Sequence, residues 1–406
     1  MNYEHNWKRS FGLREAGVYY AVAALLVLLA LVSASMGRPS PLTFANLSNI
    51  VYQASLVAIM GVAMTTVLIS GNFDLSVASV AALASAITII FVDSLGLFPA
   101  AFIAIVVSCA IGLMNGAIVQ FVGINAFIVT LGTLTAIRGL VLVLTNGRSL
   151  SSRDPNALAQ MMSLEGGRVP IFTALLVIGV LLAITAAVLF LRRTKSGRGT
   201  TRSIRMAAAG IVCWVIAAIA GVNASVPAPV IYMAVFAFFV WVALTFTTIG
   251  RRLYAVGGNA EAARLSGINV TLYKLAAFVL SGGAAGVAGV LYASRFGAIN
   301  PTALQGTELT VIAAAILGGT SLYGGSGSVT KTIAGALLLF TLTNGFNMLN
   351  IGANYQGLIE GVVVIAAAAI YTIGGSNPSR KRKAIGNDKD VVITAASVVP
   401  ASVSGI

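Results

Sequence analysis

"LSNIVYQASLVAIMGVAMTTVLISGNFDLSVASVAALASAITIIFV" runs from Leu47 to Val92. Two apolar blocks, 47–70 and 75–92, are parted only by "GNFD". Each block approaches the roughly 20 residues that a membrane-spanning helix needs. Backbone amides in lipid must find partners within their own segment, so such runs are helices. They are too long and too uniformly apolar for the alternating strands of a barrel.

The rest of the chain agrees. Its 406 residues are 58% hydrophobic and 9% charged, where a soluble domain carries about a quarter charged residues. Further apolar runs lie at 17–36, 97–121, 124–145, 169–191, 206–222, 229–249, 272–293, 308–320, 329–350 and 357–374, twelve in all. The run at 308–320 is short for a span and reads as broken or re-entrant. "SAS" at 33–35 resembles a signal cleavage site. The length of the block before it and the many spans behind it favour a retained first span.

The net charge of +14 lies in short segments between apolar blocks. That distribution sets membrane orientation and leaves no soluble domain to bind nucleic acid. With the N-terminus inside, nineteen basic residues are cytoplasmic and five, Arg38, Arg148, Arg153, Arg168 and Arg295, are outside. Both termini are then cytoplasmic. So are the "RRTKSGRGTTRSIR" loop at 192–205 and the segment 251–270. A basic, low-complexity tail follows from 375 to 406 and reads as disordered.

Catalytic chemistry finds no support. His5 is the only histidine, and Cys109 and Cys213 both sit in apolar blocks. Neither a triad, a metal-ligand set nor a disulfide framework can be assembled from these, and no cofactor is implied. "GSGSVTKT" at 325–332 approaches a phosphate-binding loop. Thr330 stands where the last glycine belongs, and no strand precedes it. Its glycines, like "GGAAG" at 282–286, suit close helix contact instead.

Three places carry polar chemistry. "GNFDLS" at 71–76 puts Asn72, Asp74 and Ser76 beside Gly71, which suggests a helix break. An ionisable group at membrane depth faces a cavity or a partner. Asp74 is read either as a pathway or gating element or as the cap of the next helix. Asn125, Thr130 and Thr133 are expected to repeat on one helical face and either line a path or bond neighbouring helices. Arg138, inside an apolar run, calls for an ion pair or a wet cavity, with Glu308 and Glu360 as candidate partners.

The third place is "NAEAARLSG", 259–267. Asn259 suits an N-cap, Glu261 the positive end of the helix dipole, and Gly267 a left-handed stop. Two turns are too few to be stable alone, so something must pack on them.

The longer stretch "YAVGGNAEAARLSGIN" resembles the cytoplasmic coupling segment of permease subunits from bacterial monosaccharide ABC importers, the ribose/xylose/arabinose branch. "SGNFDLSVAS" (70–79), "NAFIVTLGT" (125–133) and "LTNGRSLS" (144–151) carry the likeness further. So do "AAAILGGTSLYGGSGSVTKTIAGALLL" (313–339) and "LTNGFNMLNI" (342–351). It covers about 45–150 and 235–372. The resemblance implies two permease chains, a cytoplasmic ATP-binding cassette subunit and a periplasmic sugar-binding protein, in the bacterial inner membrane. It implies an all-α polytopic bundle with a coupling helix, where Asn259, Glu261, Arg264, Leu265 and Gly267 meet the ATPase. Residues 169–228 exceed the pattern of many relatives and resemble an enlargement in xylose-type permeases, which tilts the substrate toward a pentose. The expected organisation is a tail at 1–16, a permease domain at 17–374 and the tail at 375–406. A self-sufficient secondary transporter and a permease for branched-chain amino acids or nucleosides are the alternatives.

Overall fold

The computed structural model describes residues 13–173 and 221–350, with scattered residues within 175–187, 207–218 and 355–365. Contacts divide the chain into two units, Val18–Glu360 and Met1–Gly17 with Gly361–Ile406. The packing below is that of the first unit.

Among the described residues, eight helices are long and apolar enough to cross a membrane. They are α1 (Leu13–Ser35), α2 (Phe44–Ile69), α3 (Val77–Leu95), α4 (Leu97–Ala117, extended by a π turn at Ile118–Val122) and α5 (Ala126–Thr145), followed by three more. Past α6 (Pro155–Gly166) come α7 (Ala228–Phe246), α8 (Thr248–Gly258), α9 (Ala260–Leu265) and α10 (Val270–Phe296). Then follow α11 (Thr307–Leu317) and α12 (Val329–Leu349). The expected spans at 169–191, 206–222 and 357–374 fall wholly or largely outside the described residues, as do the 192–205 loop and the C-terminal tail. The expectation at 308–320 becomes the 11-residue α11. At 1.5 Å per residue it is about 16 Å long, half the hydrocarbon thickness.

Two additions break the all-helical reading slightly. Leu150–Ser151 (β1) pairs antiparallel with Ala298–Ile299 (β4), and Arg168–Pro170 (β2) with Ser225–Pro227 (β3). Both are two-stranded clips in the connections on the side expected to be external.

The core is made by helices apolar all round, as buried helices are. α2 is 83% buried and α3 78%, whereas α1 is 11% buried and presents its side chains outward. α10 lies against α4 through glycines. A Cβ on Gly112 would collide with the Phe278 carbonyl oxygen, and one on Gly282 with the Ser108 carbonyl oxygen. In lipid, where burial gives helices little reason to associate, such close approach supplies the packing. Polar bonds add to it. Thr65 and Thr332 hydroxyls lie 2.6 Å apart, and the amides of Asn46 and Asn344 exchange both hydrogen bonds at 3.0 Å.

Candidate functional site: the α2–α3 break and the coupling segment

α2 stops where its last turn loses regularity. Gly71 is left-handed, with φ +79, and its amide donates to the Leu68 carbonyl. The Asn72 amide side chain donates to Ser70 Oγ at 3.0 Å. Residues 70–76 form the break expected from "GNFDLS", and α3 begins at Val77.

Asp74 closes the break inside the protein, 2% exposed. One carboxylate oxygen accepts from the Ser76 amide at 3.0 Å and the Ser76 hydroxyl at 2.6 Å. The other accepts from the Ser281 hydroxyl of α10 at 2.7 Å. Ser76 Oγ in turn accepts from Asn115 of α4 at 3.0 Å, and Asn115 Oδ1 accepts from Thr133 of α5 at 2.6 Å. Every member is buried. A buried carboxylate without donors would cost several kcal/mol, and this chain of donors offsets part of that cost. Asp74 is therefore both a local anchor of the α3 start and a cross-link to α10.

The sequence-singled residues divide here. Asp74, Ser76 and Thr133 share the network. Asn72 and Asn125 line a recess of about 340 Å³ together with Phe73, Val119 and Phe127. Asn125 is exposed and caps α5, accepting from the Phe127 amide at 2.9 Å. Thr130 is buried and donates to its own helix, at the Ala126 carbonyl. The packed face of α5 runs Ala126, Thr130, Thr133, Ile137, Val141, Thr145, so Asn125 does not share it. Ser281 and Asn115 escaped sequence reading, being lone polar residues in apolar runs.

Arg138 of α5 faces Glu308 of α11 at 3.9 Å and donates to the Ala303 carbonyl. Glu308 is thus the partner among the candidates; Glu360 lies outside the described residues. A second ion pair joins Arg295, in the last turn of α10, to Glu165 of α6 at 2.5 Å, with the Arg295 guanidinium 4.1 Å over the Tyr52 ring. Both cysteines are free.

The 251–270 segment, expected to be the coupling segment, follows a sharp corner after α7. Thr247 caps α8 through the Ile249 amide, while a Cβ on Gly250 would strike the Leu244 carbonyl oxygen. α8 buries Leu253 and Val256 and exposes Arg251 and Arg252. Asn259 then caps α9, accepting from the Ala262 amide at 2.9 Å. Gly267, φ +79, ends it, and the Ile268 amide returns to the Ala263 carbonyl at 3.0 Å. Both ends are closed as the sequence implied. Ala263 packs on Val256 and Val270. Glu261 and Arg264 make an exposed pair at 3.7 Å, and Leu265 is 82% exposed.

Three glycine stretches meet beside this segment. A Cβ on Gly257 would overlap the Ile69 carbonyl oxygen at the end of α2, and one on Gly324 would come within 2.6 Å of the Gly257 carbonyl oxygen and 3.0 Å of Gly71. The Gly325 amide donates to the Ile69 carbonyl at 2.9 Å. The 318–328 loop that carries these glycines follows a helix, α11, and not the strand a phosphate loop requires.

Comparison with known proteins agrees with this architecture. A family model described as the permease component of branched-chain amino acid transport systems matches residues 46–209 and 199–368. The ribose import permease of Escherichia coli is 34% identical over 353 residues, covering 86% of this chain and 92% of that protein. The xylose transport system permease of Escherichia coli is 35% identical over 335 residues, 79% and 83% of the two chains. The D-allose permease of the same organism is 31% identical over 348 residues, 84% and 89%. No solved structure matches the chain. These relatives are multi-pass permeases and not enzymes, and this chain belongs to their family, that of the branched-chain amino acid transport system permease components.

Proposed function

We propose that this chain is the permease subunit of a bacterial ABC importer that carries a monosaccharide, a pentose such as xylose, across the inner membrane. A second copy completes the pathway, a cytoplasmic ATP-binding cassette subunit drives it, and a periplasmic sugar-binding protein delivers the sugar. Both termini face the cytoplasm. The observation that carries the reading is α9: two turns closed at both ends, held on the membrane domain by Ala263, with Leu265 turned to solvent. An apolar residue so exposed on so short a helix suits a groove on another protein.

In this reading Asn259, Glu261, Arg264, Leu265 and Gly267 form the ATPase contact. Movement of α9 reaches Gly257, Gly257 bears on the end of α2, and the α2–α3 break carries Asp74. Asp74, Ser76 and Thr133, with Asn115 and Ser281, gate the pathway, while Asn72 and Asn125 line its recess and Thr130 packs behind them. Uptake of labelled xylose, ribose and allose by cells carrying the complete transporter tests the substrate. Uptake by the chain alone in liposomes under an ion gradient would overturn the ABC reading in favour of a secondary transporter.

A further inference from the structure

The 318–328 loop has a feature that coupling through α9 does not use. Tyr323 is 94% exposed and Leu322 40%. Yet the loop beneath them is tied down along its length. The Ser321 amide donates to the Ser326 carbonyl at 3.0 Å, and the Tyr323 amide to Ser321 Oγ at 3.1 Å. The Gly325 amide reaches Ile69, and the Tyr254 hydroxyl of α8 donates to the Gly327 carbonyl at 2.9 Å. A Cβ on Gly325 would lie 2.8 Å from Gly258, the residue just before the α9 cap. The ring therefore stands on a fixed support, against the base of the coupling segment and on the same side of the membrane.

We propose that Tyr323 and its loop form a second docking element for the ATPase subunit, continuous with α9. This rests on the coupling reading of α9. Contiguity selects the occupant: a protein seated on Leu265 meets the neighbouring loop, and Leu322 and Tyr323 offer it an apolar edge with a phenol ring. Aromatic anchors held rigid in advance lose little freedom on binding and contribute more than their share of interface energy. The loop also joins the ATPase to the end of α2 directly, through Gly325 and Ile69, without passing through α9.

The test uses the purified permease with its cognate ATPase subunit and binding protein. It measures the ATPase concentration that gives half-maximal sugar-stimulated hydrolysis. Tyr323→Asp should raise that concentration about tenfold, Tyr323→Phe should leave it unchanged, and Leu265→Asp serves as the reference for α9. If Leu265→Asp weakens assembly and Tyr323→Asp does not, the loop proposal is overturned and the α9 reading stands. If neither variant has an effect, both fall. A disulfide between two permease chains through Tyr323→Cys, with ATPase affinity unaltered, would also overturn it, by assigning the ring to a second copy.

Discussion

Buried and half-buried carboxylates in this membrane domain are held in two contrasting ways. Glu165 and Glu308 each face an arginine, Arg295 and Arg138. Asp74 has only hydroxyl and amide donors, and no lysine or arginine pairs with it among the described residues. The positions differ as well. Arg295 ends α10, whereas Ser281, the partner of Asp74, lies fourteen residues earlier in that helix, about 21 Å nearer the coupling end. An acid held by arginine is a brace, because separation leaves two charges in a poor solvent. An acid held by neutral hydroxyls leaves no second charge stranded when a bond breaks, so each bond costs less to part than an ion pair. On the proposed reading, rigidity at the far end and hydroxyl-held bonds at the α2–α3 break suit a gate driven from the 251–270 side.

The largest expected effect tests the brace. Glu165→Ala leaves the largely enclosed Arg295 without its carboxylate and with only Tyr52 beside it, at a cost of up to about 3 kcal/mol. Folded protein extracted in mild detergent should fall severely, with a lowered melting temperature. Wild-type yield would remove the contrast. Next is Asp74→Asn, which keeps the shape but replaces one acceptor oxygen with a donor facing hydroxyls, a mismatch of about 1–3 kcal/mol. Membrane abundance should stay near normal while sugar uptake per molecule drops, and Asp74→Ala should be worse. Normal uptake by Asp74→Asn would return this residue to a purely structural role.

Gly267→Val forces a β-branched residue into a left-handed site, at about 1–2 kcal/mol, confined to the end of α9. Insertion should be unaffected and sugar-stimulated ATP hydrolysis reduced; unchanged coupled hydrolysis refutes docking at α9. Arg264→Glu is milder still for stability, since an exposed pair is worth under about 1 kcal/mol. Its effect should appear only in coupled hydrolysis. The smallest perturbation checks the orientation on which the contrast depends. Ser196→Cys should resist an impermeant thiol reagent in intact cells, and Ser151→Cys should react. The reverse pattern would place the Asp74 break and α9 outside.

Much of this molecule was legible as runs of apolar residues, because lipid imposes length and hydropathy on each span separately. Helix edges such as Ala126, Val270 and Val329 fall within two residues of the sequence reading. The α9 caps were legible for the same reason, since Asn259 and Gly267 act on their own turn. What sequence alone did not disclose depends on partners far along the chain. Ser281 and Asn115 are unremarkable until folding brings them to Asp74 and Ser76. The interlock of Gly71, Gly257 and Gly324 joins three segments far apart in the chain, and nothing local to any of them indicates the others. α6 carried a legible start, Asp154 before Pro155, with the Asp154 side chain accepting from the Asn156 amide at 3.0 Å. A criterion of apolar length does not select it, because the helix is half polar. The amphipathic α8 lies mostly in the 251–270 segment, where only the short helix at 259–267 is read from the sequence.

The glycine interlock has a mechanical consequence. Side chains between two moving parts absorb displacement by changing rotamer, so a push at one surface is partly dissipated before it reaches the other. Between Gly257 and the Ile69 carbonyl there is only main chain in contact, and main chain has no rotamers. The joint is stiff in compression: a displacement of the coupling segment by a fraction of an ångström is delivered whole to the end of α2. If α9 docks an ATPase as proposed, stroke length there and stroke length at the break are nearly equal. Under the proposed coupling role, the transporter would act as a direct drive, with neither gearing nor backlash between its motor and its gate.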